Sequence, residues 1–357
     1  MDRFPDNVSG CAPTYPFAAP PRAAGAHAPR RSLSRAPVAI LPWAIIGGLL
    51  WAGLFIKPQP VGSTVQPPVL EQRDHFYGLA LAGDKVWVAG SNGKILALGR
   101  DGHAERFPTP TDRTLQDIAV WDASHAVAVG NDGVILFTAD AGRTWTAAAD
   151  VPRSEVANKL NRVRVADGGV AVATGEMGAL LMSRDHGRTW ARLRDEEDVA
   201  WNDAALLGDG RIRVVGEFGR ILVSDDDGAS WTEVEAPVPS SLMAVAFRDA
   251  DVGVAVGLEG VVLVTRDGGR EWSQVDVGVH DHLFDIAWDS AGSRWIGAGS
   301  LGRWVRADAD AATWSTGRLD ARDLSWHTRV VPSGELTWFA GANVGRWDGS
   351  RWTPLGN

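Results

Sequence analysis

Cysteine, tyrosine and helical periodicity are what this sequence has least of, and each scarcity removes a class of explanation. The 357 residues contain one cysteine, Cys11, so no intramolecular disulfide framework staples the fold. Cys11 also lies upstream of the one long apolar run, which rules it out as a lipoprotein cysteine following a signal peptide. Tyrosine occurs twice, at Tyr15 and Tyr77, against 17 tryptophans and 41 glycines. There is no G-x-S-x-G, no P-loop and no His/Cys cluster at ligand spacing, so a nucleophile elbow, a phosphate cradle and a metal site all lack their signature. Beyond residue 57 no stretch carries a helical period.

What is present begins with an asymmetric N-terminus. Residues 1–36 are rich in Ala, Pro and Arg, with too little apolar surface to form a core, and read as a disordered tail. Val38 to Ile56 then runs 19 residues without a charge, long enough to cross a hydrocarbon layer of about 30 Å as a helix. Arg22, Arg30, Arg31 and Arg35 precede it and Lys57 closes it. The positive-inside rule therefore places the tail in the cytoplasm and the rest on the far side of an inner membrane, in the periplasm. We read 37–57 as an uncleaved signal anchor, with a cleavable signal peptide as the alternative, and 58–73 as a Pro-rich, extended linker. Without the tail the chain has 30 basic against 42 acidic residues, a net −12, which argues against nucleic acid as a partner.

From residue 74 to the end the chain repeats. Glycine pairs recur at Gly90/Gly93, Gly130/Gly133, Gly175/Gly178, Gly216/Gly219, Gly257/Gly260 and Gly299/Gly302, with a stretched copy at Gly341/Gly345. A closing aromatic follows each pair: Phe107, Trp145, Trp190, Trp231, Trp272, Trp314 and Trp352. Seven modules of about 41 residues, each with four short apolar strands, predict an all-β seven-bladed propeller. Residues 65–71 could pair with the last blade to close the ring.

Four modules share a turn of the form [ST]-x-D-x-G-x-x-W: Thr138 to Trp145, Ser183 to Trp190, Ser224 to Trp231 and Thr265 to Trp272. This is the Asp-box of BNR-type propellers. Its Asp140, Asp185, Asp226 and Asp267 are expected to bond backbone N–H groups, and Trp145, Trp190, Trp231 and Trp272 to plug the gaps between blades. The run "DDDG" at 225–228 resembles a calcium loop, but Val occupies both 223 and 234, where such a loop needs a first ligand and a bidentate Glu. We expect no metal and no cofactor.

The combined module, with its VAVGxxGxILxTxDxGxTW pattern, resembles the photosystem II stability/assembly factor family over about residues 74–355, best in blades 2 to 5. The resemblance implies a non-enzymatic, protein-binding propeller that holds a membrane protein or a subunit of a membrane complex. An exported Asp-box glycoside hydrolase or a glycan-binding propeller is the alternative. Against a sialidase-like enzyme, Tyr77 opens the first blade whereas that family's Tyr nucleophile lies late in the chain, and no long insertion builds a sugar cleft.

A partner-binding face is expected opposite the Asp-boxes, where the loops vary. Glu176, Glu217 and Glu259 supply an acidic sector there, and Lys94, Arg220, Arg303 and Arg346 a basic one. Asp117, Arg162, Asp203, Asp285 and His327, near the starts of the innermost strands, are expected around the central channel.

Overall fold

A computed structural model describes residues 36–55, 69–71 and 73–355. The chain divides into two compact units, Met1–Val65 and Gln66–Asn357. In the first, the apolar run is helical over Ala36–Phe55, with Pro42 inside. Its side chains are described only over 42–51 and at Gly53, and among the described residues no helix is long and apolar enough to cross a membrane. The Arg-rich tail to residue 35, with Cys11, and most of the linker lie outside the described residues.

In the second unit seven four-stranded antiparallel sheets follow one another, each made of consecutive strands. Blade 1 shows the plan, with Phe76–Ala82, Lys85–Gly90, Ile95–Leu98 and Ala104–Phe107 paired in that order. Blades 2 to 7 occupy 115–147, 160–192, 201–235, 242–274, 283–318 and 327–354. The first strand of each blade packs on the first strand of the next, and that of blade 7 on that of blade 1, so the seven ring a central channel. The second strands, such as Ala126–Gly130 and Gly253–Gly257, are buried along their whole length. They lie between two neighbouring blades, which is why they read as continuous apolar runs rather than as alternating ones.

Each interface between blades holds its own apolar cluster. Trp190 fills the one between blades 2 and 3, Trp201 that between 3 and 4, and Trp295 that between 5 and 6. Ring closure needs no borrowed strand, because blade 7 is completed by its own Trp352–Pro354. Phe76, Leu79 and Val88 of blade 1 instead pack on Trp338 and Val344 of blade 7, with Leu70 against the same cluster. Tyr77 stacks on Trp326, ring centroids 5.6 Å apart, and Thr328 Oγ1 donates to the Tyr77 carbonyl.

The glycine pairs have a steric cause. A Cβ on the first glycine, at Gly90, Gly130 and the equivalents, would collide with the carbonyl oxygen of the residue preceding the blade's first strand. That carbonyl accepts the next backbone N–H, as in Ser91 N to His75 O (2.9 Å) and Glu217 N to Ala200 O (3.1 Å). The motif thus pulls the loop after the second strand onto the mouth of the channel.

Candidate protein-docking face

In all seven blades the first strand is irregular near its start. The register slips between Phe76 and Gly78, Leu115 and Asp117, Trp201 and Asp203, Leu242 and Ala244, Leu283 and Asp285, and His327 and Arg329. In blade 3 the slip falls where Leu160 and Arg162 pair with Gly175 and Thr174. Such a bulge gives three successive residues three different surroundings. The first is buried between blades: Phe76, Leu115, Leu160, Trp201, Leu242, Leu283 or His327. The second, Tyr77, Gln116, Asn161, Asn202, Met243, Phe284 or Thr328, lines the channel mouth, a cavity of about 300 Å³. The third lies deeper and makes a charged plug.

Asp117, Arg162, Asp203, Asp285 and Arg329 are the plug's charged third-position residues, with Arg164 two residues beyond Arg162. Arg162 Nη2 lies 2.6 Å from Asp285 Oδ1, and its Nε 3.1 Å from Asp203 Oδ1. Arg164 grips Asp203 at 2.7 and 2.9 Å, and Arg329 Nε donates to Asp117 at 2.9 Å. Three carboxylates meet three guanidinium groups, so the plug is neutral. Each aspartate also accepts a backbone N–H from the next blade's first strand. Asp117 takes Val163 N (3.0 Å), Asp203 takes Val245 N (3.0 Å) and Asp285 takes Val330 N (2.8 Å). Blades 2, 4 and 6 are thereby stapled to blades 3, 5 and 7. Burial pushes the Asp203 carboxyl up, but Arg162 and Arg164 outweigh it and hold it at about 2.

Asp117, Arg162, Asp203 and Asp285 ring the channel as the sequence reading expects, and there they form a buried ionic plug. His327 is not among them. It occupies the first position, fully buried between Phe339 and Trp352, with Nε2 2.8 Å from Asn343 Oδ1. Burial lowers its pKa below 6.5, against the opposite pull of Asn343 and Asp323. The channel residue of blade 7 is Arg329, which polarity alone did not separate from His327.

The basic sector is not a free surface either. Lys94 is buried, with Nζ 2.5 Å from Asp74 and 3.1 Å from Glu71. Arg220 sits between Glu197 (2.9 Å) and Glu233 (2.6 Å) and over the Trp201 ring, and Arg303 is bound to Asp281 at 2.5 Å. Arg346 donates to the Arg100 carbonyl. Lys94 immediately precedes its third strand, Arg346 lies within its own, and Arg220 and Arg303 start theirs, where they meet acids of the outer strands and loops. The acidic sector splits. Glu176 and Glu217 line the mouth, and Glu217 Oε2 accepts Ala200 N at 2.8 Å, whereas Glu259 is exposed one loop position further on.

At that further position sequence reasoning picked Glu259 and missed the apolar occupants Met177, Phe218 and Leu301. The position is left-handed in every regular loop: Asn92, Asp132, Met177, Phe218, Glu259 and Leu301 have φ between 53° and 59°. Phe218 holds it with 70% of its surface exposed, and Leu301 with 42%. A bulky residue in a left-handed turn is strained and rare. A Phe held there in water follows Glu217 of the mouth, one blade from Met177, and borders a separate groove with Arg220, Glu233 and Pro237. The signal was readable as "GEMG" beside "GEFG".

On the opposite face the Asp-boxes do what their composition predicts. In each, the Ser/Thr hydroxyl accepts the glycine N–H: Gly142 to Thr138 (3.1 Å), Gly187 to Ser183 (2.9 Å), Gly228 to Ser224 (3.0 Å) and Gly269 to Thr265 (2.9 Å). Asp140, Asp185, Asp226 and Asp267 accept from the residues before the tryptophan, and Trp190, Trp231 and Trp272 donate Nε1 to the glycine carbonyl. Trp145 is buried with Trp87 instead. In the "DDD" run, Asp225 holds the buried Arg213 at 2.8 Å and Arg270 at 2.9 Å, so that residue has a structural task of its own.

Comparison with known proteins agrees with the fold. Residues 101–234 match the family model described as photosynthesis system II assembly factor YCF48. Among solved structures, a YCF48 bound to a D1 peptide aligns with TM-score 0.63 at 14% identity, covering 76% of this chain and 92% of that one. YCF48 from Cyanidioschyzon merolae aligns with TM-score 0.60 at 16% identity, covering 76% and 94%. PorZ, a surface component of the type-IX secretion system of Porphyromonas gingivalis, aligns with TM-score 0.60 at 14% identity, over 80% of this chain but 38% of its own length. No curated protein matches the chain in sequence. The likeness carried by the repeat motif is thereby shown: this chain is a BNR-type seven-bladed propeller similar to the photosystem II assembly factors.

Proposed function

We propose that this propeller is a non-enzymatic binding factor that receives a segment of a membrane protein at the channel mouth. The observation that carries the reading is Phe218, exposed and left-handed next to Glu217, which belongs to a mouth also lined by Tyr77, Asn161, Asn202, Met243 and Phe284. Side-chain amides and aromatic rings of this kind suit an extended peptide, whose backbone needs hydrogen bonds and whose side chains need apolar contact. The complex of a YCF48 with a D1 peptide supports the same use of the fold. The ionic plug closes the channel floor, so the segment docks on the mouth and does not thread the ring. In this reading the apolar run 38–56 anchors the protein in an inner membrane with the propeller on the periplasmic side, where it meets its client laterally.

The test is affinity capture from detergent-solubilised membranes with full-length protein. Phe218→Asp is expected to lose the proteins that the parent recovers while its melting temperature stays unchanged. An unaltered set of recovered proteins overturns the docking face. Release of reducing sugar from glycan panels by the parent overturns the non-enzymatic reading.

A further inference from the structure

We infer that Asp122, His125 and His186, on the Asp-box face, form a surface site for a divalent transition-metal ion of the zinc class. One ligand atom from each of the three lies within 4.8 Å of the other two. Asp122 and His125 come from the loop between the first two strands of blade 2, and His186 from the Asp-box turn of blade 3. His125 Nδ1 is 2.9 Å from Asp122 Oδ2, and the two imidazole rings lie 4.3 Å apart with a 33° tilt.

Backbone bonds hold the group in place before any ion arrives. Asp122 Oδ1 accepts Ser124 N at 2.7 Å and His125 N at 2.9 Å, which leaves Oδ2 to face the imidazole. His186 N donates to the Gly169 carbonyl at 3.0 Å, and Trp121 braces the His186 ring from 5.3 Å while its own Nε1 is tied to Val170 O. His186 is also a departure from the repeat, since the same turn position holds Ala141, Asp227 or Gly268 in the other three boxes. Two imidazoles and one carboxylate suit zinc or its neighbours rather than calcium or magnesium, which prefer oxygen ligands alone. With bonds of about 2.0–2.1 Å, a tetrahedral ion sets its ligands about 3.3 Å apart. The His125–Asp122 pair therefore has to open by only a few tenths of an ångström. The ion takes the place of the hydrogen between them, with His125 binding as the neutral tautomer that carries its proton on Nε2, and water completes the fourth position on this exposed face. The spacing was hidden in the sequence because the ligands sit in different modules.

The test is equilibrium dialysis of full-length protein against Zn²⁺, with Co²⁺ absorbance reporting geometry, in a Cys11→Ser background that removes the tail thiol. One ion per chain and tetrahedral Co²⁺ bands are expected. His186→Ala, which installs the residue that blade 2 tolerates at the same place (Ala141, φ 62°), is expected to weaken binding at least ~10-fold. His125→Ala is expected to do the same, and the distant His280→Ala to have no effect. Failure of the parent to retain zinc, or retention undiminished in both His125→Ala and His186→Ala, overturns the site.

Discussion

On the Asp-box face, four blades repeat one hydrogen-bonded turn almost atom for atom, with glycine at φ 82–88° and the same hydroxyl under it each time. On the mouth face, one left-handed backbone position is held by Asn92, Asp132, Met177, Phe218, Glu259 and Leu301 in turn. The first arrangement is chemistry reused to fasten blades. The second keeps a backbone shape and lets the side chain vary, even where a large side chain is sterically costly. Variation at constant geometry is what a binding surface needs, and constancy of both is what a scaffold needs.

Between the faces lies the plug, and the largest expected effect comes from breaking it. Asp203→Ala leaves Arg162 and Arg164 short of a partner and Val245 N without its acceptor. The expected loss is about 3–5 kcal/mol in denaturant unfolding, as for a buried pair with one member removed. The folded-state pKa of Asp203, about 2, lies below its ordinary 3.8, so its contribution is present above 3.8 and is lost as pH falls through about 2. The gap between parent and variant therefore narrows across that window. A gap that stays constant there shows that the plug is held by packing and not by charge.

A smaller loss is expected on the constant face. Ser183→Ala removes the acceptor of the buried Gly187 N–H and one donor to Asp185, at about 1–2 kcal/mol. A loss as large as that of Asp203→Ala would make the turn, and not the channel, the main fastening of the ring. Smaller again, and confined to one pH range, is the effect of His327→Leu, which installs the residue found at this place in blades 2, 3, 5 and 6 (Leu115, Leu160, Leu242 and Leu283). His327 folds neutral with a lowered pKa, so the parent loses stability as pH falls below 6.5 and the unfolded chain takes up the proton. Melting curves of the variant should be flatter below pH 6.5 than those of the parent.

The repeat, the number of blades and the Asp-box turns were legible because each rests on local rules that recur: glycine where a Cβ collides, tryptophan where a gap opens. Asp117, Arg162, Asp203 and Asp285 were legible as channel residues for the same reason. His327 was misplaced because the bulge puts neighbouring residues in different surroundings, and blade 7 happens to be polar at both the first and the third position. Arg220 and Arg303 read as a free basic sector because their partners, Glu233, Glu197 and Asp281, lie on outer strands and loops whose proximity is set by the closed sheet. The Asp122–His125–His186 group is a contact between blades, which no spacing within a single module displays.

The comparison of faces is sharpest at Phe218, where stability and binding should part company. Its side chain is 70% exposed and its φ is 57°, so replacing it with glycine removes little packing and relieves a left-handed strain. Phe218→Gly is expected to stabilise the propeller by about 0.5–1 kcal/mol in denaturant unfolding, the reverse of Asp203→Ala and Ser183→Ala. The same variant should bind less of whatever the parent captures from membranes, because this face loses a large exposed aromatic. A residue kept for the fold would show the opposite pairing, with lower stability and unchanged capture. If Phe218→Gly proves more stable and captures as well as the parent, the variable face is free to vary because nothing rests on it.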